Sequence, residues 1–252
     1  MREKKIIEKL NNIVRNFLNS ITDKNLKENM SKNLIISGGA IVSLIQNKKP
    51  NDYDIYFKNK EVVEKIRKYY GKLIGKKLSY EKLANSIAIR VNKPKDKKYY
   101  PIFVTNNAIT LSNKIQLITK FVGTGDKIVE NFDFEHLKNW FDYDKQELII
   151  GKETYKLISQ KRFVYTGSKY SLSAFFRVRK FLKRGWNIEA GEMLKIAWEI
   201  NQLDLTNIDV LKEQLVGVDS LYFGRLVNRL KKFDEKVNYT KICKLIDEIW
   251  GH

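Results

Sequence analysis

Apolar positions along the chain recur with two different periods, which predict helices and strands in different places. The first twenty residues carry apolar side chains at helical spacing, so we expect an amphipathic helix there. Short apolar runs typical of strands follow, some of them alternating with polar residues. In chain order, the strand candidates are NLIIS, YDIYF, NSIAIRV, NAITLS and KIQLITKF. Helices are predicted after the first run, at AIVSLIQ, and after the second, at EVVEKIRKYYGKLI.

From about Asp126 the pattern becomes mostly helical. Helical segments are predicted at GDKIVENF, FEHLKNWF, YSLSAFFRVRKFLKRG and EAGEMLKIAWEI, with two more near the C-terminus. Strands in the first half and helices in the second predict an α+β fold, with a small mixed β-sheet core, flanking helices and a mostly helical C-terminal lobe. We place the boundary at residue 150, which gives a head at 1–150 and a lobe at 151–252. No repeat or low-complexity linker separates them, so close packing is expected.

The composition describes a folded chain with an excess of positive charge. Of the 252 residues, 43% are hydrophobic and only 3 are proline, which is typical of a globular protein with a sizeable core. Lysine and arginine number 48 against 29 acidic residues, a formal charge of +19. Such a field favours a polyanionic partner, with nucleic acid or nucleotides ahead of a membrane surface. The alternative is a solubilising surface on a protein from an AT-rich genome.

Several classes of protein are disfavoured by the sequence. Cys243 is the only cysteine and there are 2 histidines, which argues against a disulfide framework and against zinc chemistry. The N-terminal segment mixes charges with apolar residues, unlike a secretory signal, and no apolar run is long enough to cross a bilayer. Neither a P-loop motif nor a serine nucleophile elbow is present. We therefore expect a cytoplasmic protein without membrane contact, and no segment indicates an obligatory protein partner.

The stretch GGAIVSLIQNKKPNDYDI brings a glycine pair and two aspartates into one short segment. Asp52 and Asp54 lie two apart in a strand-like run, so their carboxylates should project to one side, with Cα atoms roughly 6–7 Å apart. Two such oxygen ligands suit magnesium, which binds carboxylates together with substrate phosphates. Gly38 and Gly39 would let backbone N–H groups approach a phosphate, aided by the helix that follows. Alone, each pair is usually a turn or a solvated edge, but their order along the chain is more specific.

In this order the segment resembles the polymerase-β-type nucleotidyltransferases, and most of all the head of tRNA nucleotidyltransferases (CCA-adding enzymes) and bacterial poly(A) polymerases. Their catalytic strand pair reads G-G-x-V-R-D-x-L-L-G-R-x-P-x-D-x-D. The matching positions are Gly38, Gly39, Leu44, Pro50, Asp52 and Asp54. The chain departs from the pattern where the family has Arg-Asp and Gly-Arg, and the residues found there are Val42, Ser43, Asn47 and Lys48.

Two further segments extend the resemblance to roughly residues 33–190. The stretch VENFDFEHLKNWFDYD is similar to the family's R-R-D-F-T-I-N-A-M-A-Y-D, with Asp133 on its aspartate but no arginine pair before it. The stretch FFRVRKFLKRGWNI resembles an L-R-x-x-R-F-x-x-x-x-G-F-x-I element that follows the catalytic head, and Arg177 matches its first arginine. The superfamily often carries a third carboxylate on a later strand, where KIQLITKF offers Gln116 and no acid.

The resemblance implies a nucleotidyltransferase core that binds an NTP with Mg²⁺, or Mn²⁺, at the aspartate pair. Asp52 and Asp54 would be both the catalytic residues and the metal ligands. The implied nucleotide contacts are Gly38, Gly39, Ser43, Lys48 and Asp133. Basic residues interleaved with aromatic ones in the C-terminal half favour single-stranded RNA, and the implied contacts are Arg162, Lys169, Arg177, Arg179, Lys180, Lys183 and Arg184. The alternative for this segment is an amphipathic helix with a solvated basic face.

The function predicted from the sequence is transfer of an NMP from an NTP to an acceptor hydroxyl, with release of pyrophosphate. The acceptor expected first is the 3′ end of an RNA, tRNA foremost. Two alternatives stay open: a toxin-like nucleotidyltransferase that modifies a protein, a tRNA or a small molecule, and a catalytically silent RNA-binding relative. Two residue roles also stay open. Ser43 could touch a phosphate or pack within its helix, and His136 could be a general base or a partly buried, hydrogen-bonded histidine.

Overall fold

One mixed β-sheet organises the N-terminal part of the computed structural model, which describes residues 2–75, 89–91, 94, 97–215, 240, 243, 244, 246 and 247. Within these residues the sheet has eight strands: Leu34–Ser37 (β1), Tyr53–Phe57 (β2), Ile89–Arg90 (β3), Pro101–Val104 (β4), Ala108–Leu111 (β5), Ile115–Val122 (β6), Trp140–Asp142 (β7) and Glu147–Ile149 (β8). Their order across the sheet is β3-β4-β5-β6-β2-β1-β7-β8. The β2–β6 pair is parallel and the other pairs are antiparallel, so the sheet is mixed.

Among the described residues, helices surround the sheet, and no strand of the sheet follows residue 150. The helices are Arg2–Leu18 (α1), Lys24–Asn33 (α2), Gly39–Ile45 (α3), Lys60–Leu73 (α4), Gly125–Val129 (α5), Thr154–Gln160 (α6), Ser171–Leu182 (α7), Ala190–Asn201 (α8) and Ile208–Leu215 (α9). The α+β fold predicted from the sequence is therefore confirmed. Among the described residues, no helix combines the length and the apolar character that crossing a bilayer requires.

Side-chain alternation gives the central strands two different faces. On one face, Ile36 and Ile55 pack with apolar residues of α1 to α4 in the main core. The opposite face carries Ile35 and Tyr56, which pack against Ile128 of α5. Asp54 and the residues in register with it lie on this second face, which we call the acid face; its members are Ile35, Ser37, Asp54, Tyr56 and Gln116. The main core thus covers one face of the sheet, and the acid face on the other side is turned towards the helical lobe.

The head and the lobe share a second apolar cluster. Val42 of α3 and Phe134 come from the head, while Phe163, Val178 and Trp186 come from the lobe. All of these side chains are buried. The lobe therefore packs directly on the head through aromatic contacts. The division of the chain at residue 150 stays a prediction.

One predicted helix is wrong. The stretch FEHLKNWF forms a short 3-10 turn at Glu135–Leu137 and then enters β7, because Phe141 pairs with Ile36 at the centre of the sheet. Sheet pairing here overrides a local pattern that also fits a helix. Of the strand predicted at NSIAIRV, the structure describes Ile89–Arg90 as strand, and residues 85–88 lie outside the described part. Of the two terminal helices predicted, most of the second also lies outside it.

Candidate active site

The glycine turn and the aspartate pair lie side by side on neighbouring strands. β1 ends at Ser37, whose register partner across the antiparallel β1–β2 pair is Asp54. Gly38 follows directly and α3 begins at Gly39, so the turn is level with the start of β2. Asp52 precedes that strand by one residue. The two features that the sequence predicts to act together are therefore neighbours in the fold.

The two glycines of the turn differ in what surrounds them. Gly38 has φ +83° and ψ −140°, a conformation that side chains disfavour, and a Cβ there would lie 3.5 Å from the Phe132 ring. Its N–H donates to the carbonyl of Asn139 at 3.3 Å. A Cβ at Gly39 would meet nothing within 4 Å. An approaching phosphate would therefore find space at Gly39, while the Gly38 N–H is already hydrogen-bonded.

The two aspartates stand at the solvent-accessible end of the acid face. Asp52 is exposed and Asp54 is half-buried. Gln116 is the register partner of Asp54 across the parallel β2–β6 pair, so their side chains share one face. Within the described parts of the chain, no group of three or more His, Cys, Asp or Glu side chains is placed to hold a metal ion. The acid face therefore places the Gln116 amide beside the Asp54 carboxylate, and Asp52 lies one residue before the strand.

Arg177 approaches the acid face from the helical lobe. Tyr56 follows Asp54 by two residues on β2, and burial raises the pKa of its hydroxyl well above the usual value. The negative charge of Asp54 raises that pKa further, while the positive charge of Arg177 lowers it. Both charges act on the same hydroxyl. The structure thus brings Arg177, which the sequence predicts as an RNA contact, to the region of Asp54.

Asp133 is held by the lobe. Its side chain is 4% exposed and forms an ion pair with Arg177, which donates through Nη1 to Oδ2. The Ser168 hydroxyl donates to the other carboxylate oxygen at 2.7 Å. Each carboxylate oxygen of Asp133 thus already accepts a hydrogen bond from a residue of the lobe. The predicted nucleotide contact stays a prediction, and the observed role of Asp133 is to join the head to α7.

The other predicted site residues are dispersed. Ser43 is half-buried in α3, and its carbonyl accepts the N–H of the exposed Lys48 at 2.8 Å. Arg162 forms an ion pair with Glu189 within the lobe. Lys169 lies 3.7 Å from Glu213, with both side chains largely exposed. The remaining basic residues are exposed on the last turns of α7 and just after it: Arg179, Lys180, Lys183 and Arg184.

Sequence reasoning missed Lys120. This residue lies on β6, half-buried, with its Nζ atom 4.4 Å from the centroid of the Tyr170 ring. Burial lowers the pKa of Lys120, and the neighbouring positive charge of Lys169 lowers it further. A signal was available, because a lysine interrupts the otherwise apolar end of the KIQLITKF run. Its approach to the lobe could not be foreseen, since that depends on where α7 packs.

His136 is buried without a hydrogen bond. Its side chain is 0% exposed, and neither ring nitrogen has a partner among the described residues. The expectation of a partly buried, hydrogen-bonded histidine is therefore wrong in both respects. Burial lowers its pKa to about 3, so the ring is neutral at physiological pH. An imidazole sealed from solvent in this way cannot take a proton from a substrate.

Comparison with known proteins places the chain in a family. The model described as Gabija anti-defense 2 family protein matches residues 8–161, more than half of the 252-residue chain. The matched stretch contains the glycine turn, Asp52, Asp54 and Asp133. The chain belongs to this family. The Gabija anti-defense 2 match thus includes the acid face and ends soon after the last strand of the sheet.

Two viral proteins are similar to this family member over most of its length. "Gabija anti-defense 2" of Bacillus phage SPbetaL7 is 25% identical over 239 residues, which cover 93% of this chain and 53% of that protein. "Uncharacterized protein R883" of Acanthamoeba polyphaga mimivirus is 28% identical over 224 residues, which cover 82% of this chain and 47% of that protein. The chain spans about half the length of these curated relatives.

Solved structures similar to this Gabija anti-defense 2 family member include CCA-adding enzymes. The Thermotoga maritima enzyme complexed with tRNA is 14% identical, covers 86% of this chain and 54% of its own, and gives a TM-score of 0.42. A CCA-adding enzyme in complex with ATP is 14% identical, covers 90% of this chain and 50% of its own, and gives a TM-score of 0.46. These enzymes are of the kind that the sequence resembles.

Proposed function

We propose that this Gabija anti-defense 2 family member is a metal-dependent nucleotidyltransferase. It would transfer an NMP from an NTP to an acceptor hydroxyl, with the 3′ end of an RNA, tRNA foremost, as the acceptor and pyrophosphate as the product. The observation that carries the proposal is the open turn at Gly39 beside Asp52 and Asp54, at one end of two adjacent strands. A polyphosphate at the turn and a cation at the carboxylates would then meet in one place.

The donor set of Asp52 and Asp54 fits Mg²⁺ or Mn²⁺. Carboxylate oxygens are hard ligands, and Mg²⁺ commonly binds through one or two carboxylates together with substrate phosphates and water. Asp52 is exposed and Asp54 is half-buried, so a hydrated ion can approach this end of the strand. Bound there, the cation would neutralise phosphate charge and lower the pKa of the acceptor hydroxyl.

The protein's own contribution is positioning and electrostatics. The two carboxylates would hold the cation on a rigid strand that is packed from behind by the main core. The backbone at Gly39 would lie against phosphate oxygens. Arg177, fixed by Asp133, would add positive charge beside the acid face, where phosphoryl transfer concentrates negative charge. Exposed basic residues at the end of α7 would bind phosphates of the acceptor.

A second acceptor class is favoured by the family's description as an anti-defense protein. A nucleotide placed on a protein or on a small molecule of a defence system would inactivate it with the same chemistry. A catalytically silent relative is favoured by a different observation, because Gln116 lies beside Asp54 where a further carboxylate could have stood. These candidates differ in where a labelled nucleotide is found after the reaction.

The experiment supplies each NTP, labelled at the α-phosphate, with Mg²⁺ and either RNA or cell extract. We expect the label in RNA, and a fall of about three orders of magnitude or more for Asp52→Asn or Asp54→Asn, since bound cations contribute several kcal/mol to such transition states. The matched control is Asp144→Asn, an exposed acid in the β7–β8 turn. Label found in a protein or in a small product would show that the acceptor is not RNA. Near-normal transfer by the Asp52/Asp54 double variant, or none by the wild type, would contradict the proposal.

A further inference from the structure

Two lysine side chains meet at one tyrosine ring where the sheet faces the helical lobe. The Nζ atoms of Lys120 and Lys169 lie 4.4 Å and 5.8 Å from the centroid of Tyr170. Tyr170 is the residue before α7, and its side chain is 7% exposed. Lys120 comes from β6 of the head, and Lys169 comes from the lobe. The ring therefore holds two cations from different parts of the chain close to each other.

This cluster is connected to the acid face by successive contacts. The Tyr170 N–H donates to the Ser168 hydroxyl at 2.9 Å, and that hydroxyl donates to Asp133 at 2.7 Å. Asp133 forms the ion pair with Arg177, whose charge acts on Tyr56 beside Asp54. Lys120 thus stands at one end of a line of contacts and the catalytic aspartates stand at the other. Both ends belong to the same junction between sheet and lobe.

Lys120 carries its charge in an unfavourable setting. It is half-buried, and it forms no ion pair with a carboxylate among the described residues. Its neighbour Lys169 has Glu213 at 3.7 Å, and the same carboxylate offsets part of the charge of Lys120, whose ammonium group otherwise faces aromatic rings. Partial desolvation beside a second cation disfavours the ammonium form, and the pKa of Lys120 is lowered accordingly. An anion bound at this point would relieve both costs.

We propose that Lys120 binds a terminal phosphate of the nucleoside triphosphate. The proposal rests on the proposed function, because it supplies the cation that the β- and γ-phosphates need. Asn131 and Phe132, which precede Asp133, offer no positive charge for that purpose. An ammonium group within the junction can donate charge-assisted hydrogen bonds to phosphate oxygens. Lys120 is then the residue that distinguishes a triphosphate from a monophosphate.

The test measures binding of one nucleotide as a non-hydrolysable triphosphate and as a monophosphate, with Mg²⁺ and the full-length chain. We expect the wild type to prefer the triphosphate, and Lys120→Gln to lose about tenfold to a hundredfold in triphosphate affinity. Monophosphate affinity should be unchanged, and Lys120→Arg should recover most of the loss. The matched control is Lys97→Gln, because Lys97 also lies over a tyrosine ring, at 5.7 Å from Tyr100. That substitution should change neither affinity.

The outcomes separate this inference from the proposed function. A wild-type chain that binds no triphosphate in Mg²⁺ contradicts the proposed function itself. A wild type that prefers triphosphate, with the same preference in Lys120→Gln, leaves the function standing and overturns the role of Lys120. Equal losses of affinity for both nucleotides indicate a structural role and also overturn it. An RNA oligonucleotide is measured alongside, and a Lys120→Gln variant that loses affinity for the RNA alone overturns it as well. If Lys120→Gln unfolds, as thermal melting would reveal, Lys120→Arg and Lys120→Met provide the same comparison.

Discussion

The His136 imidazole is enclosed by aromatic rings where the head meets the lobe. The ring centroids of Trp186 and Phe181 lie 4.5 Å and 5.0 Å away, and those of Phe134 and Phe163 lie 6.2 Å and 6.4 Å away. Because burial lowers its pKa from 6.5 to about 3, protonation is tolerated in the unfolded chain but opposed in the folded one. The contribution of the neutral His136 ring to the free energy of unfolding is therefore fully present above about pH 6.5 and is lost as the pH falls towards 3.

We expect the free energy of unfolding to drop between pH 7 and pH 5, by an amount on the order of 2 kcal/mol from His136 alone. His136→Phe keeps a ring in the aromatic enclosure and removes the titrating group. Its loss of stability over the same interval should be smaller by that amount. Urea unfolding of both proteins at the two pH values measures the difference. Equal losses in the two proteins would show that His136 is not the titrating group.

Individual residues differ in how far the sequence predicts them. Asp52 and Asp54 are two apart in an alternating run, so their position at the start of a strand follows from local pattern. The pairing of Asp133 with Arg177 does not, because it joins residues 44 positions apart whose contact depends on how α7 packs. The same holds for Lys120. Pattern identifies the chemical groups along a strand, while the opposing groups are set by tertiary packing.

At the scale of elements, α5 depends on a residue without a side chain. A Cβ at Gly125 would lie 2.0 Å from Cδ1 of Trp140 on β7, so any side chain there must displace the indole. We expect Gly125→Ala to lower the free energy of unfolding by about 1–3 kcal/mol through this overlap. Gly191→Ala on α8 is the matched control, because a Cβ there meets nothing within 4 Å.

The control should be neutral or slightly stabilising, since alanine is a better helix former than glycine. Thermal and urea unfolding of both variants gives the comparison. Similar stabilities for Gly125→Ala and Gly191→Ala would mean that Trp140 does not pack on α5 as the structure has it. A selective loss in Gly125→Ala would confirm the contact that closes this side of the acid face.

Elements with a strong local pattern were predictable and those fixed by pairing were not. The amphipathic α1 and the apolar β1 follow from their spacing. The β7–β8 hairpin does not, because FEHLKNWF fits a helical period and becomes a strand only when Phe141 pairs with Ile36. This strand also carries the Trp140 ring onto α5. Because this segment is predicted as a helix, the sequence does not predict that Trp140 lies beside the acid face.

At the scale of the whole molecule, the positive charge is spread over more than one surface. A cleft between α1 and α2 is lined by Arg15, Lys24 and Lys27, among others, on the opposite side of the sheet from the acid face. Glu28 and exposed polar groups also line it, which is typical of a solvated surface. Net charge of +19 alone cannot choose between this cleft and the junction. The two carboxylates and the open turn favour the junction.

The most direct test of the account locates a metal ion and a nucleotide in the protein. Crystals grown with Mn²⁺ and a non-hydrolysable NTP would reveal the ion by its anomalous scattering. We expect the ion at the carboxylates of Asp52 and Asp54, with metal–oxygen distances of about 2.1–2.3 Å, and the triphosphate against Gly39. An ordered triphosphate and ion bound elsewhere, such as in the cleft between α1 and α2, with nothing at the two aspartates, would contradict it.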